Sequence, residues 1–190
     1  ALYDAIRAGK INAEIVVLVS DIPDAPVLEK AEKWNIPAII ADRKQFSSKE
    51  EFEDFILDQI KPYQPDLIAL AGFMRLLSGR FISHYENRII NIHPALLPSF
   101  KGLHAQRQAV EAGVKVAGCT VHFVEADMDA GPIIAQTVVP VMEDDTADTL
   151  AARILTVEYP TFVKAVALFC EDKLEINGRV VRGAIDKGAI

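Results

Sequence analysis

Short apolar runs alternate with stretches of helical spacing along the first half of the chain. Residues 14–19 (EIVVLV) form a continuous β-branched run, the pattern of a strand covered on both faces. Residues 25–34 then place Val27, Leu28, Ala31 and Trp34 at helical spacing, and residues 36–41 (IPAIIA) supply a second strand. Ser48 followed by Glu51 is a capping-box signature and opens a helix that runs to about Ile60. Residues 67–71 and 88–92 read as a third and fourth strand. Wholly apolar strands separated by helices predict right-handed βαβ units and a mainly parallel sheet.

The pattern changes after residue 100. Residues 103–112 read as a helix closed by Gly113, and residues 119–124 and 132–141 as longer strands joined by the turn-rich DMDAGP. Residues 146–169 carry a helical pattern, with a disturbance expected near Pro160. The tail LEINGRVV predicts a hairpin, with Asn177-Gly178 suited to a type I′ turn. No repeat, low-complexity tract or linker divides the chain, so a single α/β domain over 1–190 is expected. Residues 1–8 read as a helix capped by Gly9. A helix in a parallel sheet follows a strand, so a first strand and its loop are expected to precede Ala1 and to be missing from the sequence as given.

Composition narrows the classes. A hydrophobic share of 51% with 25% charged residues is that of a globular chain with a buried core. The net charge of -7 argues against nucleic acid or an anionic membrane surface as partner. Cys119 and Cys170 cannot build a disulfide scaffold, and no signal segment or apolar run of membrane-spanning length is present, so a cytoplasmic location is expected. No HxxxH or CxxC spacing occurs, so no metal site is expected.

In open α/β sheets ligands bind at the carboxyl ends of strands. NIHPALLP, residues 91–98, follows the fourth strand, and Asn91 and His93, two apart, point the same way. This set suits acyl or formyl transfer. The Asn91 amide can donate to a developing oxyanion, and the His93 imidazole can take a proton from an attacking amine. Asp129 in DMDAGP is the candidate to raise the histidine pKa, while turn formation is the default reading of Asp127 and Asp129 in a DxD beside Gly-Pro. His84 reads as structural, His104 is ambiguous, and His122, mid-strand, reads as structural rather than catalytic. AGFMRLL, residues 71–77, offers an apolar wall with one cation, suited to a flat heteroaromatic ligand carrying carboxylates; the pattern alone favours a core strand end with a solvated Arg.

Taken in order, AGFMRLL, NIHPALLPSFKGLHA and GCTVHFVEADMDAGPIIAQ make the whole chain resemble the folate-dependent phosphoribosylglycinamide formyltransferases. The resemblance implies a Rossmann-like formyltransferase fold. It implies transfer of a formyl group from 10-formyltetrahydrofolate, as co-substrate, to the amine of glycinamide ribonucleotide in purine synthesis, by direct attack through a tetrahedral intermediate. His93 is then the proton-transfer residue, Asn91 binds the formyl oxygen, and Asp129 raises the His93 pKa. Met74, Arg75, Leu76 and Leu77 line the folate pocket, Glu125, Ala126, Asp127 and Met128 cover the pterin, and Lys49 is a basic residue near the folate. Leu155, Thr156, Val157 and Glu158 fall where the family contacts the ribonucleotide. The family's opening strand and Gly/Ser-rich phosphate loop have no counterpart ahead of Ala1, which puts phosphate binding by the chain as given in question. A formyltetrahydrofolate hydrolase of the same fold, or an inactive truncated form, is the nearest rival. The oligomeric state stays open, a homodimer included.

Overall fold

The computed structural model describes residues 1–183; residues 184–190 of the expected domain lie outside the described residues. The elements run α1 (Leu2–Arg7), β1 (Leu18–Ser20), α2 (Pro26–Lys33), β2 (Ala38–Ile40), α3 (Lys49–Ile60), β3 (Ile68–Leu70), α4 (Gly79–His84), β4 (Ile89–His93), α5 (Ala105–Glu111), β5 (Val116–Phe123), β6 (Ile133–Pro140), α6 (Ala147–Cys170), β7 (Glu175–Asn177) and β8 (Val180–Arg182). Strands β1 and β2 pair parallel in a small sheet of their own, and the other six stand in the order β3-β4-β5-β6-β8-β7.

The α/β architecture is as expected, but the larger sheet is mixed. β3 and β4 are parallel, whereas β4–β5 and β5–β6 are antiparallel. β5 and β6 are joined directly by the loop 124–132, with no helix to carry a crossover, and such a connection returns the chain antiparallel. The first strand is also shorter than its apolar run. Only Leu18–Ser20 has a ladder partner, and Ile15, Val16 and Val17 lie half-buried without one.

Three further details differ from the sequence reading. Ser48 caps α3 by accepting from the Glu51 N–H at 3.0 Å, but the Glu51 carboxylate accepts from the backbone N–H and hydroxyl of Ser47 rather than from Ser48. Helix α6 continues through Pro160 without a break. The carbonyl left without a proline N–H belongs to Thr156, and both Thr156 and Pro160 lie on the exposed side of the helix. In the β7–β8 hairpin Asn177 pairs with Val180, so the central residues are Gly178 and Arg179. Only Gly178 has positive φ, the requirement of a type II′ turn rather than I′.

The alternation of β4 divides the core. Ile90 packs with Val121, Phe123, Ile134 and Phe162 on the α1 and α6 side, while Ile89 packs with Phe52, Ile56 and Phe81 on the α3 and α4 side. A third cluster joins α5 and α6 through Ala109, Cys119, Leu150 and Ile154.

Candidate active site

β4 ends at His93, and its register against β5 sets Asn91 opposite His122 and His93 opposite Thr120. All four side chains share a face because residues two apart on a strand point the same way. The loop 124–132 returns Asp129 over this face. Asp129 adopts φ +48°, a left-handed conformation that Asp tolerates better than most residues, and its Oδ2 accepts the Gly102 N–H at 2.8 Å.

Asp129 stands between two imidazoles, with Oδ2 3.5 Å from His93 Nδ1 and Oδ1 3.8 Å from His122 Nε2. Their hydrogen bonds fix opposite tautomers. His93 Nε2 donates to the Phe100 carbonyl at 2.9 Å, leaving Nδ1 toward Asp129. His122 Nδ1 donates to the Phe123 carbonyl at 2.8 Å, so its Nε2 accepts from Asn91 Nδ2 at 3.3 Å. Burial pushes the His122 imidazole below its ordinary value, which keeps it neutral and makes it an acceptor for Asn91 rather than an ion-pair partner of Asp129.

The segment 94–98 that follows His93 is tied down from below. The fully buried Thr120 hydroxyl donates to the Ala95 carbonyl at 2.6 Å and accepts from the Leu97 N–H at 3.0 Å. Gln136 Nε2, on β6, donates to the Leu97 carbonyl at 2.9 Å and to Thr120 Oγ at 3.0 Å. Among the described residues no buried side-chain nitrogen or oxygen lacks a partner.

The structure therefore brings Asn91, His93 and Asp129 together, and it adds His122, Thr120 and Gln136, which the sequence reading set aside or passed over. The signal for the first two was the alternation in TVH, but only the register with β4 shows what they face. Of the other histidines, His84 is exposed on α4 and contacts the Arg80 carbonyl, and His104 stands at the start of α5 with φ +59°.

The expected apolar wall is split. Met74 and Leu76 are 70% and 54% exposed, Arg75 is held by Asp21 at 2.7 Å, and Leu77 turns into the core beside Phe52 and Phe81. Lys49 faces Glu53 Oε1 at 3.8 Å. Glu125, Ala126, Asp127 and Met128 form the exposed part of the loop above Asp129, and the Met128 thioether lies against Gly102. On α6, Leu155 and Thr156 are exposed, whereas Val157 and Glu158 are half-buried. Burial pushes the Glu158 carboxyl above its usual range, and the His93 charge opposes that shift. Burial also raises the Cys119 thiol, so it offers no ready nucleophile. Among the described residues no group of three or more His, Cys, Asp or Glu could hold a metal ion, and no helix is long and apolar enough to cross a membrane.

Residues 1–166 match the family described as formyl transferase. The chain is 43% identical to the phosphoribosylglycinamide formyltransferase of Bacillus subtilis, over 86% of each chain. It is 44% identical to the trifunctional purine biosynthetic protein adenosine-3 of Drosophila melanogaster, covering 95% of this chain but only 14% of that much longer protein. Among solved structures, it is similar to glycinamide ribonucleotide transformylase 1 from Symbiobacterium toebii. That match has a TM-score of 0.93 and 47% identity over 95% of this chain and 85% of the other.

Proposed function

This chain belongs to the formyl transferase family, and from that premise we propose that it transfers a formyl group from 10-formyltetrahydrofolate to the amine of glycinamide ribonucleotide. The observation that carries the reading is the meeting of Asn91, His93 and Asp129 at the C-terminal end of β4. The amine attacks the formyl carbon, and the formyl oxygen gathers negative charge. Asn91 commits one amide hydrogen to His122 and has a second for that oxygen. The His93 Nε2–H is held by the Phe100 carbonyl, so Nδ1 is the ring atom free to exchange a proton. It takes the proton that the amine loses, and Asp129 stabilises the resulting imidazolium. As the bond from the formyl carbon to N10 breaks, that proton passes to N10 and the imidazole is restored. Met74, Leu76 and the loop 125–128 are assigned to the folate, and Glu158 to the ribonucleotide. A cytoplasmic location goes with this reading, supported by two free thiols, Cys119 and Cys170.

The test is release of deformylated folate with and without glycinamide ribonucleotide. Release that requires the ribonucleotide is expected; equal release in its absence would make the chain a hydrolase. His93→Ala and Asp129→Asn are each expected to lower kcat by about 10²–10⁴-fold with little change in KM. Turnover at the wild-type rate in either variant would overturn the assignment.

A further inference from the structure

Glu53 is a buried carboxylate for which the proposed reaction has no use. It lies on α3 and is 3% exposed, next to Phe52 in the core cluster that includes Phe81 and Leu77. A charge so placed is costly unless fully partnered. Both of its oxygens accept from one residue: Oε1 from the Ser78 N–H at 2.8 Å, and Oε2 from the Ser78 hydroxyl. That hydroxyl in turn accepts from the Phe81 N–H at 3.1 Å and caps α4. Lys49 Nζ lies 3.8 Å from Oε1 and supplies the opposite charge.

Ser78 is the far anchor of the loop 71–77, which leaves the sheet after Leu70. Leu70 pairs with Asn91, so the loop starts one rung from the candidate site. Its middle is held by Arg75 on Asp21 at 2.7 Å, and between these anchors it presents the exposed side chains of Met74 and Leu76. Met74 is the most exposed large apolar side chain among the described residues, and with Leu76 it stands on the loop that starts next to Asn91, where a flat apolar ligand would cover both.

We infer that Glu53 is a positioning residue for the formyl donor: by fixing Ser78 it sets where Met74 and Leu76 stand against the donor's flat heteroaromatic ring. This rests on the proposed function, since it takes the folate to be the ligand on that wall. The partners of Glu53 are Ser78 and Lys49 and not Asn91, His93 or Asp129, so its removal acts on donor binding and leaves the proton-transfer groups in place.

The probe is 5,8-dideazafolate, which has no formyl group to transfer, titrated calorimetrically against the full chain and its Glu53→Leu, Glu53→Gln and Ser78→Ala variants. Losing hydrogen bonds to a charged group predicts affinity about tenfold weaker in Glu53→Leu. A matching rise is expected in KM for 10-formyltetrahydrofolate, with kcat and the ribonucleotide KM within about twofold. Ser78→Ala, which removes only the hydroxyl donor, is expected to weaken binding in the same direction. Glu53→Gln, which keeps an acceptor for the Ser78 N–H, is expected to recover most of the affinity. If Glu53→Leu does not fold, Ser78→Ala decides the matter. Unchanged affinity in a folded variant, or a parallel rise in both KM values, would overturn the inference. Failure of the wild-type chain to bind the probe would instead overturn the functional reading, and the inference with it.

Discussion

His122 illustrates how a residue's role follows from what surrounds it. In isolation a mid-strand histidine is an ordinary core residue, and at 2% exposure this one is indeed buried. Its two nitrogens are nevertheless committed, Nδ1–H to the Phe123 carbonyl and Nε2 to the Asn91 amide, which turns the amide of Asn91 and leaves its second hydrogen for a ligand. Burial holds the imidazole neutral in the folded chain at a pH where the unfolded chain has protonated it. The unfolded state therefore binds more protons below the ordinary histidine value of about 6.5, and stability falls as pH falls through that value toward the depressed folded one. Urea unfolding of the wild type at pH 5.5 and 7.5 is expected to show lower stability at the acid end. His122→Gln, which does not titrate, is expected to flatten that difference. An identical pH dependence in the two proteins would contradict the assignment of His122 as a buried neutral imidazole.

Among the elements, the β5–β6 pair bears most directly on the site. Gly118 on β5 leaves no room for a side chain: a Cβ there would lie 2.0 Å from the Thr137 carbonyl oxygen and 2.9 Å from Leu96 Cδ2. Leu96 belongs to the segment held by Thr120 and Gln136, so the close approach of the two strands and the placing of the loop after His93 depend on the same glycine. Gly118→Ala is expected to cost about 3 kcal/mol or more, because backbone and not a flexible side-chain end is in the way. Denaturant unfolding checks this, and a midpoint equal to that of the wild type would refute it. The start of α6 is secured separately. Arg153 grips both oxygens of Asp145 at 2.5 and 2.8 Å and holds its carboxyl well below the usual carboxylate range, while Thr146 and Thr149 close a reciprocal cap. Further along that helix Glu158 is half-buried, and burial raises its carboxyl while the His93 charge opposes the shift.

Over the whole molecule, stability is unevenly distributed. Strands β4 and β5 carry the residues buried on both faces, Ile89, Ile90, Val121 and Phe123 among them. The β1–β2 ladder has three residue pairs, and Ala38 and Ile40 of β2 are exposed. It joins the rest through side chains, with Val19, Ile39 and Ala41 against the Phe52 and Ile89 cluster, and through the stacked rings of Tyr3 and Trp34, 3.9 Å apart. Amide hydrogen exchange is expected to be slowest in β4 and β5 and markedly faster in β1 and β2, since few buried contacts and short ladders permit local opening. Equal protection of the two sheets would show that they unfold as one unit. Because the site is built on β4, β5 and the loop above them, it sits on the part expected to open least.

The sequence by itself determined the strands and every helix but α4 in their order, the caps at Ser48 and Gly113, the hairpin at Gly178, and the placing of Asn91 and His93 on one face. Those features depend on neighbours within a few positions, and periodicity, turn chemistry and the family resemblance all read them directly. Tertiary structure alone decided the antiparallel return of β5 and β6, which follows from strand pairing and not from the apolar content of either strand. It decided that Asp129, 36 positions from His93, reaches between two imidazoles, and that each imidazole takes a different tautomer, because the tautomer is set by which carbonyl each ring meets. It turned Leu77 inward while Met74 and Leu76 stayed exposed, and set the charge of Glu53 beneath that loop. Such facts lie in contacts between residues far apart in the chain, and no local pattern records them.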